Sequence, residues 1–414
     1  MAEKGKNIKK VPNLRFPGFE GEWEERKLGD ATLKINSGKT PLGGEAIYVS
    51  KGVLFIRSQN INNNRLELER PVFISEEINN GMKNSIVEPN DILLNITGAS
   101  LGRSCVVPDD FVIGNVNQHV CIIRLNKDNN PRFVQPILAS HKGQNVFISL
   151  QTGSGREGLN FESIKKMHIF FPSLKEQNRI ASFLSIIDER IRTQSKIIEA
   201  LNSSISGLQK RIFTQKLRFK DEKGKGFPKW EKKRLDEIIS DFIVPMRDKP
   251  KELTGEIPWC RIEDFDGKYL TSSKSGQGVS MVTVKEMNLK IYPVNTLLVS
   301  CSANLGFCAI VKKQLITNQT FIGLVPDAGK VNIEFLYYAM KLSAKKLNVL
   351  SSGTTISYLS REQFEKFNIN RPTYQEQTKI ANYLSALDKK IELETNILKR
   401  LIQQKQYLLQ NLFI

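Results

Sequence analysis

Hydrophobic residues recur at alternating steps of three and four in two long stretches of the chain. The first seam consists of Leu184, Ile187, Ile191, Gln194, Ile198, Leu201, Ile205, Leu208 and Ile212. The second consists of Leu384, Leu387, Ile391, Glu394, Leu398, Leu401, Lys405, Leu408 and Leu412. Such a seam, held for about four heptads, is typical of a coiled coil, and each stretch predicts a rod of about 60 Å. The alternative is two amphipathic helices packed on globular cores.

The two predicted helices are both preceded by proline, and both have a polar residue at the same position of the seam. Pro172 and Pro372 precede them, where proline sets an entry turn. Polar residues stand at the same place in each seam, Gln194 in the first and Glu394 in the second. Matching polar seam positions favour two helices that pair with each other in a fixed register.

Short alternating or apolar segments elsewhere predict strands. They lie at 53–57, 92–96, 119–124, 297–301 and 320–325, and Gly, Asn, Pro and Asp turn residues bound them. One further helix is predicted after each group of strands, at 131–141 and at 333–347. The chain outside the two seams is therefore mixed and rich in strands.

The chain repeats itself at a spacing of about 200 residues. Residues 172–191 and 372–391 align without a gap and are identical at nine of twenty positions. The repeat extends upstream with small shifts in offset, in the pairs Trp23/Trp230, Arg57/Arg261, Asn117/Asn318, Gln118/Gln319, Gly153/Gly353 and Leu159/Leu359. Self-similarity over this length indicates two homologous halves.

These patterns predict an α+β fold with an internal two-fold repeat. The first mixed domain covers 1–172 and the central coiled-coil helix 173–219. The second mixed domain covers 220–372 and the C-terminal helix 373–414. The charged, glycine-containing segment 220–229 should be an exposed connection between the halves.

The charge balance indicates a polyanionic partner. Lys and Arg number 61 against 43 Asp and Glu, a net charge of +18. A field of this sign attracts nucleic acid, although the alternative is a surface that happens to be basic. The N-terminus lacks the apolar stretch of a signal peptide, and no run approaches the ~20 apolar residues needed to span a bilayer. We expect a cytoplasmic protein that does not bind a membrane.

The sequence predicts no catalytic centre and no metal site. The stretch Ser37-Gly38-Lys39-Thr40 resembles the end of a phosphate-binding loop, but Leu33 stands where that motif needs glycine. Five cysteines without a CxxC pair and three scattered histidines predict neither a disulfide framework nor a zinc site. Motifs of serine hydrolases, adenine methyltransferases and nucleases are missing. The open alternatives are a self-contained methyltransferase or nuclease, and a coiled-coil tether.

Four polar loops recur in register between the predicted strands. Loop A is 57–60 or 261–264, and loop B is 95–100 with Arg103 or 300–304. Loop C is 117–119 or 318–320, and loop D is 153–156 or 353–357. Arg, Asn, Gln, Ser and Thr read base edges and hold phosphates, whereas the alternative is that they serve local turn geometry.

The loops and the Lys39 turn supply the candidate DNA-binding residues. In the first half they are Lys39, Arg57, Ser58, Gln59, Asn60, Asn95, Thr97, Ser100, Arg103, Asn117, Gln118, His119, Ser154 and Arg156. In the second half they are Arg261, Glu263, Ser300, Ser302, Asn304, Asn318, Gln319, Thr354, Thr355 and Ser357.

The two copies differ more in their loops than in their helices. Arg156 aligns with Ile356, and Asn60 with Asp264. A duplicated scaffold with different loops should read two different half-sites, so we expect a two-part, asymmetric target.

The chain resembles the specificity subunit of type I restriction-modification systems over essentially its whole length. The resemblance rests on the tandem layout and on Pro-x-x-x-Glu-Gln-x-x-Ile-Ala-x-x-Leu-Ser-x-x-Asp, at 172–188 and 372–388. The Gly38–Pro41 opening and the Leu-Gly turns at 101–102 and 305–306 are also similar. The second half has no clear counterpart of that opening around 242–245, which puts its first strand in question.

The resemblance implies a non-catalytic subunit with two target-recognition domains and an antiparallel pair of coiled-coil helices. It implies that the chain binds double-stranded DNA, two methyltransferase subunits and, in the full complex, restriction subunits. S-adenosylmethionine, ATP and Mg²⁺ would bind to those partners, and no cofactor to this chain. The helices would set the spacer between half-sites and dock the methyltransferases.

The helix residues expected to pair or to bind partners come from the repeated motif and seam. They are Glu176, Gln177, Ile180, Leu184, Ile191, Leu201, Leu208, Glu376, Gln377, Ile380, Leu384, Ile391, Leu401 and Leu408.

Overall fold

The computed structural model describes residues 10–151, 158–246, 249–302, 305–351 and 358–414. The chain forms two compact units: unit 1 comprises 1–195 and 396–414, and unit 2 comprises 196–395. Within the described ranges, no helix has the length and apolar character needed to cross a membrane.

The strands are short and most numerous before each long helix. Unit 1 holds β1 (Glu24–Lys27), β2 (Thr32–Ser37), β3 (Val53–Ile56), β4 (Ile61–Asn62), β5 (Arg65–Leu66), β6 (Phe73–Ile74), β7 (Ile86–Val87), β8 (Ile92–Asn95), β9 (Ser104–Val106), β10 (Gly114–Val116), β11 (Val120–Leu125) and β12 (His168–Phe171). Unit 2 holds β13 (Glu231–Arg234), β14 (Ile239–Ile243), β15 (Ile257–Cys260), β16 (Tyr269–Leu270), β17 (Gly278–Val279), β18 (Leu297–Ser300), β19 (Cys308–Val311), β20 (Ile316–Thr317), β21 (Phe321–Pro326) and β22 (Asn368–Arg371).

The α-helices include the two long ones predicted from the heptads. They are α1 (Glu76–Asn80), α2 (Pro131–Ala139), α3 (His141–Leu150), α4 (Phe161–Lys165), α5 (Leu174–Phe213), α6 (Met281–Glu286), α7 (Ile333–Leu342), α8 (Ala344–Ser351), α9 (Arg361–Glu365) and α10 (Tyr374–Asn411). At 40 and 38 residues, α5 and α10 confirm the prediction of long helices.

The central sheet of unit 1 is buried on both faces. Its strand order is β2-β11-β8-β9, and a second sheet has the order β6-β3-β10-β7. Leu94 packs on one face, in the cluster that includes Phe133 of α2, whereas Leu93 packs on the other face beside Val116. Burial on both faces explains why β8 and β11 are continuously apolar instead of alternating.

Unit 2 repeats this arrangement with one strand more in its central sheet. The order is β14-β21-β18-β19-β16, beside a three-stranded sheet β17-β15-β20. Leu297 and Val299 face the cluster that includes Phe335 of α7, and Leu298 faces the opposite one. Although the second half lacks the glycine-containing opening, β14 pairs antiparallel with β21, as β2 does with β11. The strand that the sequence left in question, β14, is therefore present.

The helix predicted at 131–141 corresponds to α2, which α3 follows directly, whereas the single helix predicted at 333–347 was wrong because that segment is divided between α7 and α8. Ser140 is extended, and its hydroxyl accepts a hydrogen bond from Gly143 N, so it ends α2 and caps α3. Ser343 separates α7 from α8, and its hydroxyl donates to Ala339 O at 2.8 Å. Serine competes with the helix backbone for hydrogen bonds in this way, and the binary apolar pattern does not register it.

Each unit contains the beginning of one long helix and the end of the other. In unit 1, Leu184 of α5 shares a core with Leu412, and Lys405 of α10 contacts Asp188. Later residues of α5 lie beside earlier residues of α10, so the two helices run antiparallel within the unit. In unit 2, Ile212 near the end of α5 shares a core with Ile380 and Leu384 near the start of α10.

Candidate nucleic-acid interface

Strand register brings loops A, B and C of unit 1 to one edge of its two sheets. β8 and β2 both end opposite the start of β11, where Asn95 pairs with Val120 and Ser37 with Cys121. β3 and β10 run parallel and end together. Loops A, B and C and the Lys39 turn leave from these strand ends, so they form one surface.

Hydrogen bonds join loop A, loop B and loop C in unit 1. The buried Asn95 amide donates to Ser58 O at 2.9 Å and to Ser100 Oγ at 3.1 Å. Thr97 Oγ1 lies 2.6 Å from His119 Nδ1. The three loops therefore hold one another in place without a ligand.

The Lys39 turn belongs to the same surface. Thr40 N donates to Gln118 Oε1 of loop C at 3.0 Å. A Cβ atom on Gly38 would lie 1.7 Å from Val116 O, so only glycine allows this approach. Lys39 and Gln118 are both exposed. The turn therefore places Lys39 beside loop C.

Unit 2 builds the same edge from different side chains. Ser300 pairs with Phe321, and Cys301 N donates to Thr320 O at 2.9 Å, which joins loop B to loop C. In loop A, Arg261 Nη2 donates to Gln277 Oε1 at 3.0 Å, and Nη1 lies 3.5 Å from Glu263 Oε1.

The residues that follow loop D approach loop B in both units. Leu159 N donates to Ile96 O at 2.9 Å, and Leu359 N donates to Cys301 O at 2.8 Å. Gly158 bridges to Thr97, and Tyr358 to Ser302. The candidates Ser154, Arg156, Asn304, Thr354, Thr355 and Ser357 lie outside the described residues.

The candidate side chains divide into those that face solvent and those that shape the loops. The exposed ones are Lys39, Gln59, Arg103, Gln118, Glu263 and Gln319. The partly exposed ones are Arg57, Ser58, Thr97, Ser100, His119, Arg261, Ser302 and Asn318. The buried ones are Asn60, Asn95, Asn117 and Ser300.

The buried candidates have partners inside their own loops. Asn60 accepts from Arg57 N at 3.0 Å and donates to Glu67 O at 3.0 Å. Its counterpart Asp264 accepts from Arg261 N at 2.7 Å. The Asn60/Asp264 difference therefore preserves a loop-closing contact, and direct DNA binding by Asn60 stays a prediction.

Two residues that the sequence did not single out hold candidate arginines. Asn62 Oδ1 accepts from Arg103 Nη1 at 2.7 Å, and Gln277 holds Arg261. Asn62 begins a hairpin whose two-residue turn, Asn63-Asn64, has positive φ. An Asn-rich turn between short strands is a sequence signal for such a hairpin.

The repeated Glu-Gln pair at each long-helix start lies in the core of its own unit. Glu176 accepts from Arg15 at 2.8 Å through both oxygens, and Glu376 accepts from Arg218 at 3.2 and 2.7 Å. The signal that could have identified these arginines is the repeated triplet Leu-Arg-Phe, at 14–16 and 217–219.

The neighbouring glutamines hold the start of another helix. Gln177 accepts from Asn130 N at 2.9 Å and Gln377 from Asn332 N at 2.8 Å. All four Glu and Gln side chains are almost completely buried, so a role in binding a partner chain stays a prediction for them.

The seam residues expected to pair or to bind partners are covered to different degrees. Ile180, Leu184, Ile380 and Leu384 are buried, whereas Ile191, Leu201, Leu208, Ile391, Leu401 and Leu408 are partly exposed. Larger apolar exposure lies off the seam: in unit 1, Ile186 and Ile397 are 58% and 46% exposed. They line a cleft of about 310 Å³ with Leu401, and apolar surface of this kind suits a partner helix.

The described residues include buried thiols and no cluster of metal ligands. Burial raises the pKa of Cys105, Cys121 and Cys308 to about 12, so these thiols stay protonated. Within the described ranges, no group of three or more His, Cys, Asp or Glu side chains could hold a metal ion.

Comparisons with known proteins identify a family model and several relatives that this chain resembles. The family model described as "Type I restriction modification DNA specificity domain" matches residues 20–203 and again 227–403. The putative type I restriction enzyme MjaX specificity subunit of Methanocaldococcus jannaschii is 24% identical over 411 residues, covering 94% of this chain and 92% of the relative. The MjaIX specificity subunit of that organism is 32% identical over 168 residues, or 39% of each chain.

Solved structures share the fold. The type I restriction-modification S subunit from M. genitalium superposes with a TM-score of 0.62 at 17% identity, over 98% of this chain and 99% of that one. A chain from the structure described as "Structural basis underlying complex assembly and conformational transition of the type I R-M system" has a TM-score of 0.59 at 18% identity, over 97% and 99%.

Two matches to one family model account for most of the chain, and the relatives are named as specificity subunits of type I restriction enzymes. Such subunits are not catalytic, because catalysis lies in other subunits of those enzymes. The chain therefore belongs to the type I restriction-modification DNA specificity family, as the subunit that recognises the DNA target.

Proposed function

We propose that this chain directs methyltransferase and restriction subunits to a bipartite, asymmetric DNA target. Each recognition domain reads one half-site with its loop edge. The observation that carries the proposal is that the two edges share a backbone and differ in side chains. Arg57 lies over the Tyr48 ring at 5.7 Å, whereas its counterpart Arg261 is held by Gln277 and Glu263.

The exposed loop side chains suit base reading in the major groove. Gln118 and Gln319 occupy the same place in loop C, and glutamine pairs with adenine through two hydrogen bonds. Arg103 suits guanine, and Glu263 accepts from the cytosine amino group. Lys39 suits a phosphate, which positions the protein without reading sequence. The buried Asn60, Asn95, Asn117 and Ser300 set the loop shapes.

The two long helices serve as spacer and docking frame. Two methyltransferase subunits bind along them, one for each half of the repeat, and restriction subunits join in the full complex. S-adenosylmethionine, ATP and Mg²⁺ bind to those partners in the cytoplasm. The segments to exchange between relatives are the first recognition domain (1–172), the central helix (173–219), the second recognition domain (220–372) and the C-terminal helix (373–414).

Mapping methylated adenines in cells with and without this gene tests the proposal. We expect the gene to add methylation at one two-part sequence with a fixed gap. Replacing 220–372 with the second domain of a relative should change one half of that sequence and leave the other. A continuous target, or a change in both halves, would contradict the assignment of one half-site to each domain.

A further inference from the structure

Unit 2 contains a cluster of polar side chains where β16, α7 and the first part of α10 meet. Its members are Lys268, Tyr269, Glu334, Tyr338, Ser385 and Asp388. Lys268 and Tyr269 come from the β16 strand and the residue before it, Glu334 and Tyr338 from α7, and Ser385 and Asp388 from α10.

Lys268 stands at the centre of the cluster. Its Nζ lies 2.5 Å from Glu334 Oε2, 2.8 Å from Ser385 Oγ and 3.2 Å from Tyr338 OH. Asp388 Oδ2 is 3.9 Å away. The lysine side chain is only 8% exposed, so its charge depends on these partners.

The other members complete the hydrogen bonding. Tyr269 OH donates to Glu334 Oε1, and Tyr338 OH donates to Asp388 Oδ2, each at 2.5 Å. Burial by itself would raise the pKa of Glu334, but the hydrogen bonds from Lys268 and Tyr269 outweigh it and hold the pKa below its ordinary value. The glutamate is therefore ionised opposite the lysine.

The cluster connects loop A of unit 2 to the long helix. Lys268 lies four positions after Asp264, the residue that closes loop A. The carbonyl of Lys268 accepts a hydrogen bond from Ile310 N at 2.8 Å. The backbone at Lys268 is thus fixed to the central sheet. Through Ser385 and Asp388, its side chain fixes that sheet edge to α10.

Unit 1 has no equivalent set at the matching positions. Asn130 and Asn332 each begin a helix against the repeated glutamine, so Glu334 corresponds to Arg132. Arg132 pairs with Asp109 instead. The helix aspartate of unit 1, Asp188, contacts Lys405, and its carbonyl accepts from Arg65 at 3.3 Å. The fold therefore forms without this cluster.

Packing alone does not explain a buried ionic cluster. Charges that leave water pay a desolvation cost, and apolar side chains would hold the same elements together at least as well. Buried donors and acceptors must, however, meet at hydrogen-bond distance, since an unmet group is costly. A network of this kind admits few arrangements of the elements that it joins.

We propose that Lys268 is a positioning residue, which fixes the second recognition domain on α10 and thereby sets the spacer length that the chain accepts. The inference rests on the proposed function, because a spacer exists only for a two-part target. Loss of the network leaves the loops intact but lets the domain shift on the helix, so neighbouring spacer lengths become acceptable.

The test uses the complex of this chain with its methyltransferase partner. Methylation is measured on DNA that carries both mapped half-sites, with the spacer varied one base pair at a time. We expect Lys268→Met to raise the relative rate on the adjacent spacer lengths by roughly tenfold and to leave the preferred spacer nearly unchanged. Tyr338→Phe loses only the hydroxyl. It should also raise the relative rate on the adjacent spacer lengths, but by a smaller factor.

Lys312→Met is the matched control. Lys312 is exposed and lies over the same Tyr269 ring at 4.8 Å, so its loss removes an equal charge beside the cluster without touching α10 residues of the network. A lowered thermal midpoint with an unchanged spacer profile in Lys268→Met would make the lysine merely structural and overturn the inference. Should Lys268→Met not accumulate, the profile of Tyr338→Phe decides. A wild-type target without two parts would instead refute the proposed function.

Discussion

Lys405 Nζ of α10 lies 2.5 Å from Asp188 Oδ1 of α5, inside unit 1. Both residues belong to the repeated helix segments, yet the counterpart of Lys405 in the first copy is the buried Ile205. The ion pair is therefore a feature of one copy alone, at a position where the other copy packs a hydrocarbon.

Replacing Lys405 tests how much this pair stabilises unit 1. The side chains are 16% and 39% exposed, so solvent screens the pair and Asp188 can hydrate when the lysine is lost. We expect Lys405→Met to lower the free energy of unfolding by about 1 kcal/mol or less. Urea titration measures the change, with the exposed Lys399→Met as control. A loss several times larger would mean that Asp188 is left buried and unpaired.

Removing Arg15 should be far more costly. Glu176 has only 2% of its side chain exposed and accepts from Arg15 through both carboxylate oxygens. Arg15→Met leaves that carboxylate buried without its cation, and we expect a loss of about 3–5 kcal/mol in urea titration.

A second substitution checks the reason for that cost. Adding Glu176→Gln to Arg15→Met removes the stranded charge, so the double variant should be more stable than the single one. Arg192→Met, at an arginine 48% exposed, serves as control. Equal stability of the single and double variants would show that packing, and not charge, makes Arg15 important.

The exposed glutamines of loop C provide a matched pair for DNA recognition. Gln118→Ala and Gln319→Ala should each weaken binding of the full target by about 1–3 kcal/mol, because each loses a two-point contact with a base. Each should also relax sequence preference in its own half-site only. Binding to libraries randomised in one half at a time measures this. Relaxation in both halves by one variant would be inconsistent with separate reading.

The acid sensitivity of unit 2 should depend on Glu334. Its pKa is lower in the folded chain than the ordinary value of 4.5, so its ionised form stabilises the fold above that value. This stability is lost as pH falls through the folded pKa. We expect the free energies of unfolding of wild type and Glu334→Gln to differ most above about pH 5 and to become equal in stronger acid. Urea titrations across that range would refute the expectation if the difference were constant.

The length of the helices should set the gap between half-sites. Seven residues inserted into α5 add about 10 Å, which corresponds to about three base pairs of duplex. Methylation mapping should then find a longer spacer. The same insertion in the exposed segment 220–229 should leave the spacer unchanged. An unchanged spacer after the α5 insertion would contradict a role of the helix as a ruler.

Local patterns were sufficient to predict the long helices and five of the strands. The heptad pattern predicts the positions of α5 and α10 to within a few residues, because an apolar seam must repeat regularly to stay on one face of a helix. The five predicted strands lie within one residue of β3, β8, β11, β18 and β21. The helix α3 after Ser140 and the division between α7 and α8 at Ser343 were not predicted, since a serine hydroxyl can end a helix without changing the apolar pattern.

The grouping of the candidate loops was predictable from the repeat, but the exposure of their side chains was not. The repeat identified which loops correspond, and strand register brings them together. Residue type does not say whether an asparagine faces inward, as Asn60 and Asn95 do, or outward. The Lys268 cluster was not predictable because its members come from three distant segments, and only tertiary packing brings them within hydrogen-bond distance.

The placement of apolar side chains on both faces of each central sheet has an evolutionary consequence. Leu93 and Leu94 point into different cores, so these strand side chains are committed to the interior and do not face solvent beside the loops. Codons for the strands and codons for the loops are consequently under separate selection. If the loops read the target as proposed, a lineage can acquire a new target by changing or exchanging a few loop codons, without repacking the protein.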